Sequence, residues 1–213
     1  MTSPQIKICG INEERALDAA IAARADYAGF VFFPPSPRHI SLAQAALLTA
    51  RAETRIVRVG LFVDADDSTL AEALGAARLD VLQLHGKESP ERASQVRARF
   101  GLPVWKAVAI AAPGDVAKAE TYAEAADLVL FDAKTPKGGL PGGMGLRFDW
   151  SLLSAWKDRA PWGLAGGLRP ENVAEAASLT GAPLVDTSSG VESAPGIKDT
   201  SLIAAFCAAA RGA

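Results

Sequence analysis

The chain has 213 residues and a mass of 22.1 kDa, a length that buries about 70% of the surface of the extended chain. Hydrophobic residues make up 49% and charged residues 22% of the sequence, and the formal net charge is −2. This composition is that of an ordinary globular protein, and it excludes an extensively disordered chain, a collagen-like repeat and a polybasic nucleic-acid-binding protein.

Membrane and secretory segments are not indicated by the sequence. The longest apolar runs, such as Tyr27 to Phe33 and Ile203 to Ala210, are far shorter than the roughly 18 residues that cross a bilayer. The N-terminal residues lack the basic and apolar regions of a secretory signal, and Cys9 and Cys207 are the only cysteines. We therefore expect a cytoplasmic protein with free thiols.

Eight short β-branched or apolar runs predict eight β-strands. They are Gln5–Cys9, Tyr27–Phe32, Arg55–Val63, Val81–Leu84, Val104–Ala109, Leu128–Asp132, Trp162–Leu164 and Leu184–Thr187. The stretches between them are rich in alanine, the best intrinsic helix former, so strands and helices are predicted to alternate. The helix between the fifth and sixth strands is expected around Val116 to Ala125.

Several residues are candidate N-caps of the predicted helices. They are Ser41, which Gln44 completes as a capping box, Ser89 before Pro90, Asp149 and Asp199. Each is a residue type whose side chain accepts a hydrogen bond from the free amide groups of a first helical turn.

Eight such units in 213 residues leave roughly 27 residues for each unit, which is enough for a closed barrel near the lower size limit. The rival architecture, a doubly wound open sheet, usually carries a glycine-rich turn after its first strand, and Cys9-Gly10-Ile11 is not such a turn. We therefore predict an α/β fold, a (β/α)8 TIM barrel that forms a single domain over residues 1–213. The glycine-rich segment Lys137 to Gly145 is expected to be a long active-site loop.

Barrel enzymes place their active sites on the loops that follow the strands, so the residues at these positions are the candidate site. They are Cys9, Arg38, His85, Asp132, Gly166-Gly167 and Ser188-Ser189-Gly190. The barrel is expected to bring all of them around one mouth.

The last two loops point to an anion. The pair Gly166-Gly167 and the run Ser188-Ser189-Gly190 let backbone N–H groups approach a phosphate closely, and the seventh and eighth loops of a barrel are where a phosphate commonly binds. Val191-Glu192-Ser193 could start the short extra helix that often accompanies such a site. The alternative is that the glycine pair only makes a tight turn. The sequence predicts a phosphorylated small-molecule substrate.

Cys9 on its own is more often a small buried hydrophobe than a catalyst. Side chains alternate along a strand, so Lys7 and Cys9 share one face of the first strand, while Ile6 and Ile8 share the face that suits a helix layer. A buried lysine needs a partner, and the neighbouring eighth strand offers Asp186. We therefore predict a Lys7–Asp186 ion pair below the site.

The same alternation places Leu128, Leu130 and Asp132 on one face of the sixth strand, the face that points into the barrel. Asp132 is then expected to face Cys9 across the mouth. A thiol and a carboxyl group facing each other beside a phosphate site could act as an acid–base pair.

Other polar residues carry more than one interpretation. The guanidinium group of Arg38 suits bidentate capture of a carboxylate, although a surface arginine fits equally well. His85 either titrates or hydrogen-bonds a loop carbonyl. Cys207 is expected to pack, and Glu192 and Lys198 to be solvated or loop-stabilising charges. With two histidines and no clustered ligand spacing, no protein-held metal site is expected.

Six motifs, taken together and in order, closely resemble the phosphoribosylanthranilate isomerase family of tryptophan biosynthesis over essentially the whole chain. They are Lys7-Ile8-Cys9-Gly10-Ile11; Gly29-Phe30-Val31-Phe32 leading to Ser36-Pro37-Arg38; Gln83-Leu84-His85-Gly86; Asp132-Ala133-Lys134 with a glycine loop reaching Phe148-Asp149-Trp150; Leu164-Ala165-Gly166-Gly167-Leu168; and Asp186-Thr187-Ser188-Ser189-Gly190-Val191-Glu192.

The resemblance implies a cofactor-free Amadori rearrangement of N-(5-phosphoribosyl)anthranilate to 1-(2-carboxyphenylamino)-1-deoxyribulose 5-phosphate. It also implies that Cys9 is the general base, Asp132 the general acid and Arg38 the contact for the anthranilate carboxylate. The glycine and serine loops would hold the phosphate, and we expect His85 to contact the substrate as well.

Two kinds of alternative stay open at this point. One is another phosphate-binding barrel enzyme, either the sister isomerase of histidine biosynthesis or a thiamin-phosphate synthase. The other is a non-catalytic barrel that binds a phosphorylated ligand. A monomer is expected because no long apolar surface stripe is evident, and a homodimer remains open.

Overall fold

The computed structural model describes residues 3–134, 145–156 and 160–212. Eight parallel strands close into a barrel in chain order, and β8 pairs with β1. The strands are β1 (Gln5–Cys9), β2 (Tyr27–Phe32), β3 (Val57–Phe62), β4 (Val81–Leu84), β5 (Val104–Ile110), β6 (Leu128–Ala133), β7 (Trp162–Leu164) and β8 (Leu184–Thr187). The predicted barrel is confirmed, and the strand bounds differ from the predicted ones by at most two residues. Of the predicted loop from Lys137 to Gly145, all but Gly145 lies outside the described residues.

Helices follow most of the strands and form the outer layer. They are α1 (Glu14–Ala22), α2 (Leu42–Ala52), α3 (Asp67–Ala76), α4 (Pro90–Phe100), α5 (Pro113–Ala119), α6 (Val173–Thr180) and α7 (Thr200–Arg211). None of these described helices is long and apolar enough to cross a membrane. The helix expected over Val116 to Ala125 starts earlier, at Pro113, and continues after Ala119 as a 3₁₀ turn over Glu120–Tyr122.

All four candidate N-caps accept hydrogen bonds at the start of a helix, as predicted, but one of the four helices is a 3₁₀ helix. Ser41 Oγ accepts from the Gln44 amide at 3.2 Å, and the Gln44 side chain accepts from the Ser41 amide at 2.9 Å, which completes the capping box. The Ser89 and Asp199 side chains accept from the first turns of α4 and α7. Asp149 caps a 3₁₀ helix over Trp150–Ala155 instead of an α-helix.

The core has two layers, as expected for a barrel whose strands are buried on both faces. The larger cluster lies between strands and helices, and it contains Ile6, Ile8 and Cys207. A second cluster, which includes Val59 and Leu130, fills the barrel interior. The alternation predicted for β1 is therefore confirmed, and Cys207 packs as expected.

A short antiparallel hairpin follows β8 and was not predicted. It consists of β9 (Glu192–Ala194) and β10 (Ile197–Lys198). Gly196, with φ at +80°, lets the chain reverse between the two strands. The helix expected at Val191-Glu192-Ser193 is wrong, because the 3₁₀ turn covers Ser189–Val191 and the chain is already extended at Glu192.

Candidate active site

The nine candidate residues lie around one cavity at the carboxyl ends of the barrel strands. They are Cys9, Arg38, His85, Asp132, Gly166, Gly167, Ser188, Ser189 and Gly190. They come from six different strand–loop junctions, so the closed barrel is what brings them together. Asp186 and Thr187 also contribute to the lining.

Lys7 and Asp186 form a buried ion pair beneath the cavity. Lys7 Nζ donates to Asp186 Oδ1 at 3.0 Å, and the two residues are direct partners in the β1–β8 register. The predicted pair is therefore confirmed. Burial on its own lowers the pKa of the Lys7 ammonium group, but Asp186 and Cys9 hold that pKa above its ordinary value. Lys7 is a fixed positive charge next to Cys9.

The Cys9 thiol is buried, with 5% of the residue exposed. Burial raises the pKa of the Cys9 thiol, and the Lys7 charge opposes this shift without overcoming it. Gly29 on β2 leaves room for the sulfur, since a Cβ at this position would lie 2.9 Å from Cys9 Sγ.

The carboxyl group of Asp132 is held at both oxygens. Oδ1 accepts from the Ala133 amide at 2.8 Å, and Oδ2 lies 3.2 Å from His85 Nε2. The Gln83 amide nitrogen lies 3.0 Å from His85 Nδ1. In this orientation of the Gln83 amide, Nδ1 is the acceptor and Nε2 faces Asp132. The loop-carbonyl partner expected for His85 is thus wrong, since its partners are two side chains.

Lys106 fixes the loop that carries His85, and it is a residue that the sequence analysis missed. Lys106 Nζ donates to the Gly86 carbonyl at 2.8 Å and to Glu88 Oε2 at 3.0 Å. Glu88 in turn accepts from the Gly86 amide at 2.9 Å. A lysine inside the otherwise apolar run of β5 was the signal that could have found it.

Arg38 is buried at the rim and is bound to Glu192 in a bidentate pair. Arg38 Nε donates to Glu192 Oε1 and Arg38 Nη2 to Glu192 Oε2, both at 2.7 Å. Glu192 is only partly exposed and Lys198 is buried. Of the two expected roles, the solvated one is wrong, and the loop-stabilising one is confirmed by the bond from Lys198 Nζ to the Ser188 carbonyl. Burial opposes ionisation of Glu192, yet Arg38 and Lys198 hold the pKa of its carboxyl group below its ordinary value.

The two glycine-containing loops are packed against each other. Gly166 and Gly167 have φ of +85° and +64°, in the left-handed region that favours glycine. A Cβ at Gly190 would overlap the Leu168 carbonyl oxygen. Thr187 Oγ1 donates to that same oxygen at 2.7 Å, which ties the loop after β8 to the loop after β7. The backbone therefore approaches the cavity closely from both loops.

Comparisons with known proteins agree on one family. The family model described as N-(5'phosphoribosyl)anthranilate (PRA) isomerase matches residues 6–209. A Paramagnetospirillum magneticum protein named N-(5'-phosphoribosyl)anthranilate isomerase is 55% identical over 209 residues, covering 98% of this chain and 97% of its own. The structure of phosphoribosyl anthranilate isomerase from Thermotoga maritima superposes with a TM-score of 0.89 at 36% identity, covering 99% of this chain and 100% of that chain.

A further solved structure is that of a phosphoribosyl anthranilate isomerase in complex with reduced 1-(o-carboxyphenylamino)-1-deoxyribulose 5-phosphate. It has a TM-score of 0.87 and 34% identity, and covers 99% of this chain and 100% of that chain. The resemblance expected from the six motifs is confirmed. The chain therefore belongs to the N-(5'-phosphoribosyl)anthranilate isomerase family.

Proposed function

We propose that the chain isomerises its substrate with Cys9 as general base and Asp132 as general acid. The reaction is the Amadori rearrangement of N-(5'-phosphoribosyl)anthranilate in tryptophan biosynthesis. The observation that supports the assignment is that a thiol and a carboxyl group, on strands three places apart around the barrel, line the same cavity. Such a pair can remove one proton and deliver another within a single site.

Ring opening is the first step of the proposed mechanism. Protonated Asp132 donates its proton to the furanose ring oxygen while the bond between that oxygen and C1 breaks. The anthranilate nitrogen supplies the electron pair, so that C1 and nitrogen become a protonated Schiff base. His85, which lies beside Asp132 Oδ2, orients the carboxyl group for this transfer.

Proton abstraction follows at C2. The Cys9 thiolate removes the C2 proton, and the electrons of that bond move toward the iminium carbon and give an enolamine. The enolamine becomes the ketone when its C2 hydroxyl group loses a proton and C1 gains one. The reaction is an isomerisation, so no external oxidant, reductant or further atom is required. The Lys7 ammonium group next to Cys9 favours the thiolate electrostatically.

The substrate is held at two anionic groups in this proposal. Arg38 binds the anthranilate carboxylate, because its planar fork matches a carboxylate in a bidentate manner. Backbone N–H groups of Gly166, Gly167, Ser189 and Gly190, together with the Ser188 hydroxyl group, surround the phosphate.

The test is a direct assay of turnover. Substrate made from anthranilate and ribose 5-phosphate is mixed with the protein, and the fluorescence of the anthranilate group is followed with time. A catalytic rate of fluorescence change at substoichiometric protein supports the proposal. A change that stops at one equivalent of bound ligand would identify a ligand-binding barrel and reject it.

We also propose that the chain acts in the cytoplasm as one barrel domain and as a monomer. Its large exposed hydrophobic residues in the described ranges are scattered over α2, α6 and β10: Leu42, Leu47, Leu179 and Ile197. Scattered residues of this kind do not form the continuous apolar patch typical of a stable interface. Light scattering on the purified chain tests this, and a mass twice that of the chain would contradict it.

A further inference from the structure

The rim of the cavity contains a cluster of three charges that joins the two anion-binding parts of the site. We call Arg38, Glu192 and Lys198 the rim cluster. The side chains are 10%, 4% and 0% exposed, respectively. Two cations and one anion give the cluster a net charge of +1, and charges buried in this way need closely matched partners.

Glu192 is the centre of the rim cluster, and its acceptor positions are filled. Oε1 accepts from Arg38 Nε and from Lys198 Nζ, both at 2.7 Å. Oε2 accepts from Arg38 Nη2 at 2.7 Å and from the Gly196 amide at 3.3 Å. Four donors saturate the carboxylate, which fixes both its place and its orientation.

Glu192 uses one particular edge of the Arg38 guanidinium group, the edge formed by Nε and Nη2. The end formed by Nη1 and Nη2 is a different pair of donors, and it also has the fork geometry that fits a carboxylate. Gly10 lets the arginine lie close to the chain, because a Cβ there would stand 2.6 Å from Arg38 Cδ. The guanidinium group is therefore held in one orientation.

Lys198 connects this arrangement to the loop after β8. Its Nζ donates to the Ser188 carbonyl at 2.9 Å and to the Ser188 hydroxyl group at 3.3 Å, besides its bond to Glu192. Glu192 and Lys198 are also direct partners in the β9–β10 hairpin. Glu192 and Lys198 thus support both Arg38 and the start of the Ser188-Ser189-Gly190 loop from a buried position.

We propose that Glu192 and Lys198 are positioning residues that hold Arg38 at a fixed separation from the Ser188-Ser189-Gly190 loop. The site then selects a ligand whose carboxylate and phosphate groups are separated by one particular distance. This inference rests on the proposed function, because it takes Arg38 as the carboxylate contact and the loop as the phosphate contact.

Two inert ligands test the selectivity. They are the 1-deoxyribitol 5-phosphate amines made by reductive amination of ribose 5-phosphate with anthranilate or with aniline, and they differ only in the ring carboxylate. Glu192→Gln keeps the size of the side chain but turns one of its two acceptor oxygens, each of which faces two donors, into a donor. We expect it to weaken binding of the anthranilate-derived amine about tenfold to hundredfold, and that of the aniline-derived amine less than threefold.

The matched control is Asp80→Asn. Asp80 holds Arg58 in the same bidentate manner, with distances of 2.7 and 2.6 Å, at the opposite end of the barrel. We expect Asp80→Asn to change neither affinity. Calorimetry that shows an equal loss for both ligands in Glu192→Gln, no loss for either, or the same selective loss in Asp80→Asn overturns the inference.

A double variant keeps the test decisive if Glu192→Gln alone removes the carboxylate that Arg38 and Lys198 share and the variant does not fold. Arg38→Gln combined with Glu192→Gln preserves the net charge of the rim cluster. If Glu192 acts through Arg38, the double variant should bind the anthranilate-derived amine as Arg38→Gln does, within twofold. A further large loss contradicts the inference.

Absence of turnover in the unaltered chain would reject the proposed function, whereas these affinities test the positioning of Arg38 separately.

Discussion

His85 Nε2 lies 3.2 Å from Asp132 Oδ2, so an imidazole from the loop after β4 orients a carboxyl group at the end of β6. The imidazole is itself oriented by Gln83, and its loop is fixed by Lys106 and Glu88. The proposed acid therefore has a rigid support on the side away from its own strand.

We predict that His85→Ala lowers kcat about tenfold, the effect of losing one hydrogen bond that orients the acid. His85 acts through Asp132 in this interpretation, so adding His85→Ala to Asp132→Asn should have little further effect on kcat. Steady-state kinetics of the two single variants and the double variant provide the measurement. Fully multiplicative losses would show that His85 acts independently of Asp132.

The proposed acid and base have a direct test. Cys9→Ala and Asp132→Asn should each lower kcat by roughly 10² or more while ligand affinity stays close to that of the unaltered chain. Cys207→Ala is the control for the first variant, because Cys207 packs between α7 and the strands, away from the cavity. Near-normal turnover in Cys9→Ala or Asp132→Asn would reassign the two roles.

Burial raises the pKa of the Cys9 thiol. A higher pKa leaves less thiolate at a given pH, and the thiolate is the form that iodoacetamide alkylates. In the Cys207→Ala background, we therefore predict that the alkylation rate of the unliganded protein still rises above about pH 9, past the ordinary cysteine pKa of about 8.5. Mass spectrometry of Cys9 over a pH series provides the measurement. A plateau below pH 8 would mean that Lys7 outweighs burial.

The contact between the two glycine-containing loops predicts a defect in phosphate binding. Gly190→Ala places a methyl group against the Leu168 carbonyl oxygen and forces the loops apart, so inhibition by inorganic phosphate should weaken at least about tenfold. Gly75→Ala on α3 is the control, because a Cβ there has no heavy atom within 4 Å. The control should leave inhibition unchanged and stabilise α3 by about 0.5–1 kcal/mol. Equal inhibition constants for Gly190→Ala and the unaltered chain would contradict the prediction.

The relationships that could be predicted from the sequence are those that follow from local rules. Alternation along a strand puts Lys7 and Cys9 on one face, and closure of the barrel brings Asp186 to Lys7. Strand bounds were predictable for the same reason, since each strand is a short apolar run between polar turns. The three-dimensional pairing of β1 with β8 adds only the register, in which Lys7 and Asp186 are direct partners.

The rim cluster follows no such rule. Arg38 and Glu192 are 154 positions apart, and the hairpin that buries Glu192 depends on a tight turn at Gly196. In the sequence, Glu192 and Lys198 look like solvated or loop-stabilising charges, because nothing nearby marks them as buried. Two opposite charges on either side of Pro195-Gly196, directly after a predicted phosphate loop, were the available signal.

The buried pair of Lys7 and Asp186, 179 positions apart, also constrains how the chain is made. β1 emerges from the ribosome long before β8 has been synthesised. The Lys7 ammonium group therefore has no counterion until nearly all of the barrel has been made. An early nascent chain cannot bury this strand favourably and must keep the lysine in water. Closure of the barrel is therefore expected to be a late event that follows the emergence of Asp186 from the ribosomal exit tunnel.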